Sequence, residues 1–244
     1  MKKIAVITGA SSGMGKRFAE TVDRYGTFDE VWVIARHEAQ LEALRATVPF
    51  PVRVLALDLT DRGNFDVYAA ALAETPVEVG LLMNCSGYGK FSAVLDTPLA
   101  VNLNMTDLNC QAVVAMCQIT APYMPRGSQI INIASALSFT ADKKCPPYVA
   151  SKHAIVGITR TFANELGEHN IQTNAIAPGF YQTEINKAIS DDKAFYDKIT
   201  NRIPAGRWGC AYDLMGTAVF LASDASNYIN GWTINVDGGF TTTL

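Results

Sequence analysis

Seven short apolar runs punctuate this chain, at 4–8, 31–35, 52–57, 81–84, 130–134, 173–177 and 233–236. Between them lie stretches patterned for helices, clearest at 18–25, 39–47, 99–123, 149–166 and 212–222. Runs that are apolar throughout, without polar alternation, suit strands covered on both faces. When strand and helix alternate, each helix returns the chain across the sheet by a right-handed crossover, and the strands come out parallel. The expected fold is therefore α/β, a doubly wound parallel sheet of about seven strands with helices on both faces. The 244 residues suffice for one core of this kind, and no repeat, low-complexity tract or linker divides 1–244 into smaller units. The polar run 184–201 has no obvious place in the sheet. An excursion of that length in a compact domain is usually a lid or binding loop, so 184–207 reads as a substrate cover, against the plainer alternative of a surface helix.

Open sheets of this type bind ligands in a crevice at the C-terminal ends of their strands. The first strand, Lys3-Ile4-Ala5-Val6-Ile7-Thr8, runs into Gly9-Ala10-Ser11-Ser12-Gly13-Met14-Gly15 and then into helix formers from Lys16. Glycines at such a turn let the backbone approach a pyrophosphate, whose charge meets the helix N-terminus. The spacing is Gly-x-x-x-Gly-x-Gly, not the commoner Gly-x-Gly-x-x-Gly, and alone it could mark only a structural turn. Its place directly after a chain-initial strand favours a nucleotide site.

Tyr148 and Lys152 stand four apart, one helical turn, and Ser135 precedes Tyr148 by 13 positions. An ammonium beside a phenol favours the phenolate, which suits a tyrosine that exchanges a proton with an alcohol or ketone. Ser135 follows the apolar run 130–134, so its hydroxyl sits at a strand's C-terminal end, facing the crevice. The spacing alone would fit a surface Tyr-Lys pair equally well.

Together, Thr8-Gly9-x-x-x-Gly13-x-Gly15, Asn109, Ser135, Tyr148-x-x-x-Lys152, the stretch 178–183 and Val236-Asp237-Gly238-Gly239 resemble the short-chain dehydrogenase/reductase family. The resemblance runs from Lys3 to about Phe240 with the motifs in the family's order. It implies a Rossmann-type fold and a hydride transfer between nicotinamide and a ketone or secondary alcohol. It implies that Tyr148 donates the proton, Ser135 hydrogen-bonds the substrate oxygen, and Lys152 lowers the Tyr148 pKa and binds the nicotinamide ribose. Asn109 matches the position that holds a water linking Lys152 to solvent; read by itself it would be a helix-kinking Asn. For the cofactor, the resemblance implies a pyrophosphate turn at Gly9, Gly13 and Gly15, with Ser11 and Met14 also in the cofactor site, and an adenine edge at Asp58 and Leu59. Ser12, Cys85, Ser86 and Gly87 would line the adenosine half, Thr183 would hydrogen-bond the carboxamide, and Pro178 and Gly179 would also contact the cofactor. Asp58 read alone could cap the next helix, although Thr60 or Asp61 fits that task better. One departure is Asn84-Cys85-Ser86-Gly87, where the family usually has Asn-Asn-Ala-Gly. Asp237, Gly238 and Gly239 read as a structural turn.

Cofactor choice turns on the tip of the second strand. An acid about 20 positions after the glycine turn marks NAD enzymes, and an arginine nearby accommodates the 2′-phosphate of NADP. Here the strand ends at Ala35-Arg36 with no acid, so NADP(H) is expected over NAD(H), with Arg36 as the phosphate ligand; the alternative is a solvated loop arginine.

Composition narrows the rest. A net charge of −3 and a pI near 5.6 give no reason to bind nucleic acid or an anionic membrane. Without an h-region or an apolar run of about 18 residues, a soluble, cytoplasmic protein is expected. Cys85, Cys110, Cys117, Cys145 and Cys210 show no zinc spacing, and their odd number fits reduced thiols. His37, His153 and His169 form no ligand set; His153, beside Lys152, points about 100° away from it on the helix. Competing functions are a 3-oxoacyl-carrier-protein reductase, for which Arg126 is a candidate basic contact to an acidic carrier, and a non-catalytic nucleotide sensor, which has no reason to keep donor, tuner and orienter together. The substrate is a small carbonyl or alcohol, and Tyr88, Leu137, Phe139, Phe180 and Tyr181 are candidate pocket residues. A steroid, a sugar-derived ketone and a 3-oxoacyl ester remain open. Helices 99–123 and 149–166, with 202–208 and 233–236, resemble those of tetrameric members, so a homotetramer is expected.

Overall fold

A computed structural model of the protein describes residues 1–93, 95–182 and 190–243. All seven expected strands form: β1 Lys2–Thr8, β2 Glu30–Ala35, β3 Val52–Ala56, β4 Val77–Asn84, β5 Gln129–Ile133, β6 Gln172–Pro178 and β7 Thr233–Val236. They make one sheet in the order β3-β2-β1-β4-β5-β6-β7, and every neighbouring pair is parallel. β5 and β6 are buried along their whole length, as uninterrupted apolar runs require.

The helices are α1 Gly13–Glu20, α2 Glu38–Thr47, α3 Gly63–Glu74, α4 Leu99–Thr106, α5 Ala112–Thr120, α6 Pro146–Leu166, α7 Lys193–Thr200 and α8 Met215–Leu221. Alternate strand residues feed two cores. Ile4, Val6, Trp32, Val79 and Ile130 pack with Tyr68 and Leu72 of α3, Val113 and Met116 of α5 and Ile155 of α6. Ala5, Ile7, Val33, Met83 and Ile131 pack on the other face with Phe18 of α1, Leu41 and Leu44 of α2 and Leu221 of α8. Doubly wound is therefore the correct description. The strand order reverses between β1 and β4, which places the ligand crevice at their C-terminal ends.

Three helical details differ from expectation. The stretch 99–123 is not one helix: α4 and α5 are separated by a π-helical turn, Asp107–Gln111. Helix α3 carries four alanines and mixes polar and apolar positions, so no stripe announced it. Within 184–207, α7 is capped by Asp192, whose carboxylate accepts from Phe195 N–H at 3.1 Å, and it turns Ile199 inward. No helix among the described residues is long and apolar enough to cross a membrane.

Candidate active site

The glycine turn is tight because its neighbours leave no room. Gly9 has φ +69°, and a Cβ there would meet the Cys85 carbonyl and Ser86 nitrogen at 2.9 Å; one on Gly15 would overlap the Gly9 carbonyl oxygen. Thr8 Oγ1 accepts from Cys85 N–H and Ser86 N–H, both at 3.0 Å, tying the ends of β1 and β4 together across the switch point. Gly13, at φ +55°, instead faces open space. Ser12 precedes α1 and its side chain makes no cap bond, so the first-turn N–H groups of α1 point into the crevice without a side-chain acceptor. That is an arrangement a pyrophosphate fits.

The crevice is a cleft of about 300 Å³. Gly9, Ser11, Ser12, Gly13, Met14, Gly15, Arg36, Asp58, Leu59, Cys85, Ser86 and Gly87 line it at the glycine-turn end, and Ser135, Tyr148, Lys152, Pro178 and Gly179 at the other. Of the remaining expected residues, Asn109 stands behind the lining and Thr183 lies outside the described residues, as does 184–189 of the expected substrate cover. Arg36 Nη1 lies 3.9 Å from Asp58 Oδ2, with both side chains substantially exposed. The other oxygen of Asp58 accepts from Thr60 N–H at 2.9 Å and Thr60 Oγ1 at 2.7 Å. The Asp61 carboxylate, not that of Asp58, reaches α3, accepting from Gly63 N–H at 3.0 Å, while the Asp58 main-chain carbonyl accepts from Asn64 Nδ2 at 3.0 Å.

At the second end, Ser135 leaves β5 into a 3-10 turn. Its Oγ accepts from Leu137 N–H at 3.2 Å, and Ser138 Oγ donates to the Lys152 carbonyl at 2.6 Å, binding the turn to α6. Tyr148 lies close enough to Ser135 for the serine hydroxyl to favour its phenolate, and both side chains line the cleft. Lys152 Nζ donates to the Ile133 carbonyl at 2.7 Å and lies 5.8 Å from the centre of the Tyr148 ring. The expected lowering of the Tyr148 pKa is corrected here. Burial pushes the phenol above its ordinary value, and the nearby Ser135 hydroxyl offsets this only in part. Lys152 is itself pulled down to about 8 by burial, and its ammonium is turned to a carbonyl instead of the phenol.

Asn109 is the centre of the π-helical turn and is buried. Its Oδ1 accepts from Tyr88 N–H, and its Nδ2 donates to the Tyr88 carbonyl and to Ser151 Oγ, all at 3.0 Å. It thus fastens the loop after β4 to α6, and the helix irregularity that a kinking Asn would make is present as well. Gly87 packs closely on this side chain, and a Cβ there would meet Asn109 Oδ1 at 3.0 Å, a tight contact.

Of the candidate pocket residues, Tyr88 and Tyr181 line the cleft, whereas Leu137, Phe139 and Phe180 do not. Phe180 is taken up by an aromatic cluster, 5.2 Å from Trp208, 5.1 Å from Phe240 and 6.4 Å from Phe195. Among the wall residues that escaped the sequence reading, two stand against Tyr148. The Phe91 ring lies 5.6 Å from that of Tyr148, and a Cβ on Gly89 would touch Tyr148 Cδ2 at 3.2 Å. Both sit in an irregular loop with no periodic signal. Arg126 precedes β5, at the opposite end of the sheet from the cleft, and donates to the Glu168 carbonyl at 3.2 Å, so it cannot serve a carrier docked there. His153 is exposed, with Nδ1 2.9 Å from the Val149 carbonyl. Asp237 is structural, its carboxylate accepting from Gly239 and Thr241.

A doubly wound sheet whose switch-point cleft joins an open glycine turn to neighbouring Ser, Tyr and Lys side chains defines an oxidoreductase of the Rossmann type. The chain belongs to the short-chain dehydrogenase/reductase family. Residues 9–241 match a family described as Enoyl-(Acyl carrier protein) reductase. The 2-dehydro-3-deoxy-D-gluconate 5-dehydrogenase of Dickeya dadantii is 39% identical, over 98% of this chain and 95% of that protein. The gluconate 5-dehydrogenase of Gluconobacter oxydans is 33% identical, over 98% and 95%. Among solved structures, a gluconate 5-dehydrogenase from Burkholderia cenocepacia, in complex with NADP and tartrate, superposes with a TM-score of 0.91 at 30% identity, over 99% of this chain and 96% of that one.

Proposed function

We propose that this enzyme interconverts a ketone and a secondary alcohol on a polyhydroxylated carboxylic acid, using NADP(H) in preference to NAD(H). The observation that carries the reading is the joined site: Tyr148 beside Ser135, with Lys152 one turn on, in the same cleft as the open N-terminus of α1. The uncapped turn at Gly9, Ser11, Ser12, Gly13, Met14 and Gly15 would hold the pyrophosphate. Asp58 and Leu59 would face the adenine, Cys85, Ser86 and Gly87 its ribose, and Pro178, Gly179 and Thr183 the carboxamide. Arg36 would take the 2′-phosphate. Its exposed 3.9 Å contact with Asp58 is a weak one that a phosphate could replace. Bound nicotinamide supplies the hydride in reduction and accepts it in oxidation.

The remaining chemistry belongs to the side chains. Ser135 Oγ holds the substrate oxygen against Tyr148. In reduction the Tyr148 hydroxyl gives its proton to that oxygen, and a phenol with a raised pKa keeps the proton until the oxygen needs it. The phenolate left behind lies near the Lys152 ammonium, which stabilises it, and a water held near Asn109 would return the proton from solvent. In oxidation the same groups run in reverse. The substrate class is supported by the named relatives, which act on gluconate-type acids. We also place the protein in the cytoplasm, in keeping with its free thiols, as one domain over 1–244 with 184–207 covering the substrate, and as a homotetramer.

The test is kinetic. Wild type should reduce 5-keto-D-gluconate or a related keto acid with NADPH, and Tyr148→Phe should lose about 10²–10⁴ in turnover, the range a lost proton donor costs. NADPH binding, followed by fluorescence, should stay near wild type. A Tyr148→Phe enzyme with near-normal turnover would sink the mechanism.

A further inference from the structure

Two loops build the rim of the cleft beside Tyr148. One follows β4 and carries Lys90; the other leads into α6 and carries Lys143 and Lys144. They are held side by side, since Ser92 N–H donates to the Lys144 carbonyl at 2.8 Å. The Phe91 ring, next to Lys90 in the chain, packs on Tyr148 at 5.6 Å. All three lysines are exposed, and among the described residues none lies within ion-pair distance of a carboxylate. The nearest acid in sequence, Asp142, accepts from the Lys143 main-chain N–H at 2.7 Å. None of the three lines the cleft itself, but Lys90 stands between Gly89 and Phe91, which do, and on a chain of net charge −3 the three are a local surplus of cations beside its Tyr148 end.

Lys144 adds a second observation. Its backbone lies at φ +67°, in the left-handed region that a lysine occupies only at a cost and a glycine occupies freely. Backbone in this region tends to gather at functional sites.

We propose that Lys90, Lys143 and Lys144 form a carboxylate-reading rim that selects anionic keto acids over neutral ketones of the same skeleton. The inference rests on the polyhydroxy-acid reading above and names the residues that enforce it. A carboxylate on the far end of a substrate whose ketone sits at Tyr148 would meet these ammonium groups at the mouth. Exposed charges of this kind act by steering and by weak pairing, so they discriminate through KM and fade with salt.

The experiment compares one keto acid, 5-keto-D-gluconate, with its methyl ester, on enzyme saturated with NADPH. In wild type the acid should be preferred, and the preference should shrink as ionic strength rises. In Lys90→Gln/Lys143→Gln/Lys144→Gly the ratio of kcat/KM for acid over ester should fall roughly tenfold, as three exposed charges each worth about a factor of two would give. The affinity of gluconate for the NADP-loaded enzyme, measured by calorimetry, should weaken by a similar factor. Lys144→Gly alone relieves the backbone cost, so its melting temperature should hold or rise while its ratio falls, which separates charge from folding. A folded triple variant that keeps the acid preference and its salt dependence overturns the rim alone. A wild type indifferent to the charge overturns both the rim and the substrate reading. A wild type that favours a 3-oxoacyl chain on an acidic carrier protein overturns the rim as a small-acid reader.

Discussion

Lys152 must carry charge in a place that disfavours charge. Burial lowers its pKa from 10.5 to about 8, whereas in the unfolded chain it returns to its ordinary value. Between pH 8 and 10.5 the unfolded state therefore binds more protons than the folded one, and this residue's contribution to stability rises with pH across that window. Several buried tyrosines and cysteines pull the other way, because their raised values favour the protonated fold. The difference between wild type and Lys152→Met isolates the lysine. That difference, measured by urea melts, should shift by about 3 kcal/mol between pH 7 and pH 10.5, in favour of wild type at the higher pH. No change across the window would show that the ammonium is not desolvated. Arg36 poses the complementary case of an exposed charge with a weak partner. Arg36→Ala should raise the KM for NADPH about 10- to 100-fold, the worth of a charged hydrogen-bonding pair, and leave that for NADH nearly unchanged. Adding Ala35→Asp should turn the preference toward NADH. A wild type that already uses both cofactors equally would overturn the assignment.

The glycine turn is an element whose three glycines do different work. Gly15 touches the Gly9 carbonyl, whereas Gly13 has nothing within 4 Å. Gly15→Ala should cost about 3 kcal/mol or more through backbone overlap, and Gly13→Ala only about 1 kcal/mol for its positive φ. The methyl of Gly13→Ala would project into the cleft, so NADP(H) affinity should fall far more than stability. Equal losses of stability in the two variants would contradict the packing. This turn was legible in the sequence, as were all seven strands, because a strand-glycine-helix order leaves little choice of geometry. So were Ser135, Tyr148 and Lys152 as neighbours in space, since a strand end and one helical turn fix them. The break of 99–123 at Asp107–Gln111 was not legible, because a π turn keeps helical residues and changes only which carbonyl each N–H reaches. Helix α3 lacked a stripe, and Phe91 came to Tyr148 through a loop that no period predicts. The raised Tyr148 pKa was also invisible, because it comes from burial, which residue spacing does not report.

At the scale of the whole molecule, the two edges of the sheet are treated differently. The β3 edge carries Arg53, whose guanidinium lies 4.4 Å from the centre of the Trp32 ring and donates to Thr75 Oγ1 at 2.9 Å. A charge on an edge strand discourages a second sheet from pairing there. The β7 edge, Thr233-Ile234-Asn235-Val236, has no charge, and the Trp232 that precedes it is 61% exposed. Helix α4 also turns Leu99 and Leu103 outward, 71% and 57% exposed. Two separate apolar faces, one on a helix and one at a strand edge, suit an assembly with two kinds of two-fold contact, which closes as a tetramer. Light scattering at micromolar concentration should give about four times the 26.4 kDa chain mass. Leu103→Glu should reduce that mass to a dimer by placing a charge in the helix face, and Trp232→Lys should do the same through the strand edge. The double variant should run as a monomer. A wild type that is already monomeric, or a double variant that stays tetrameric, would show that these faces are not the ones that pair.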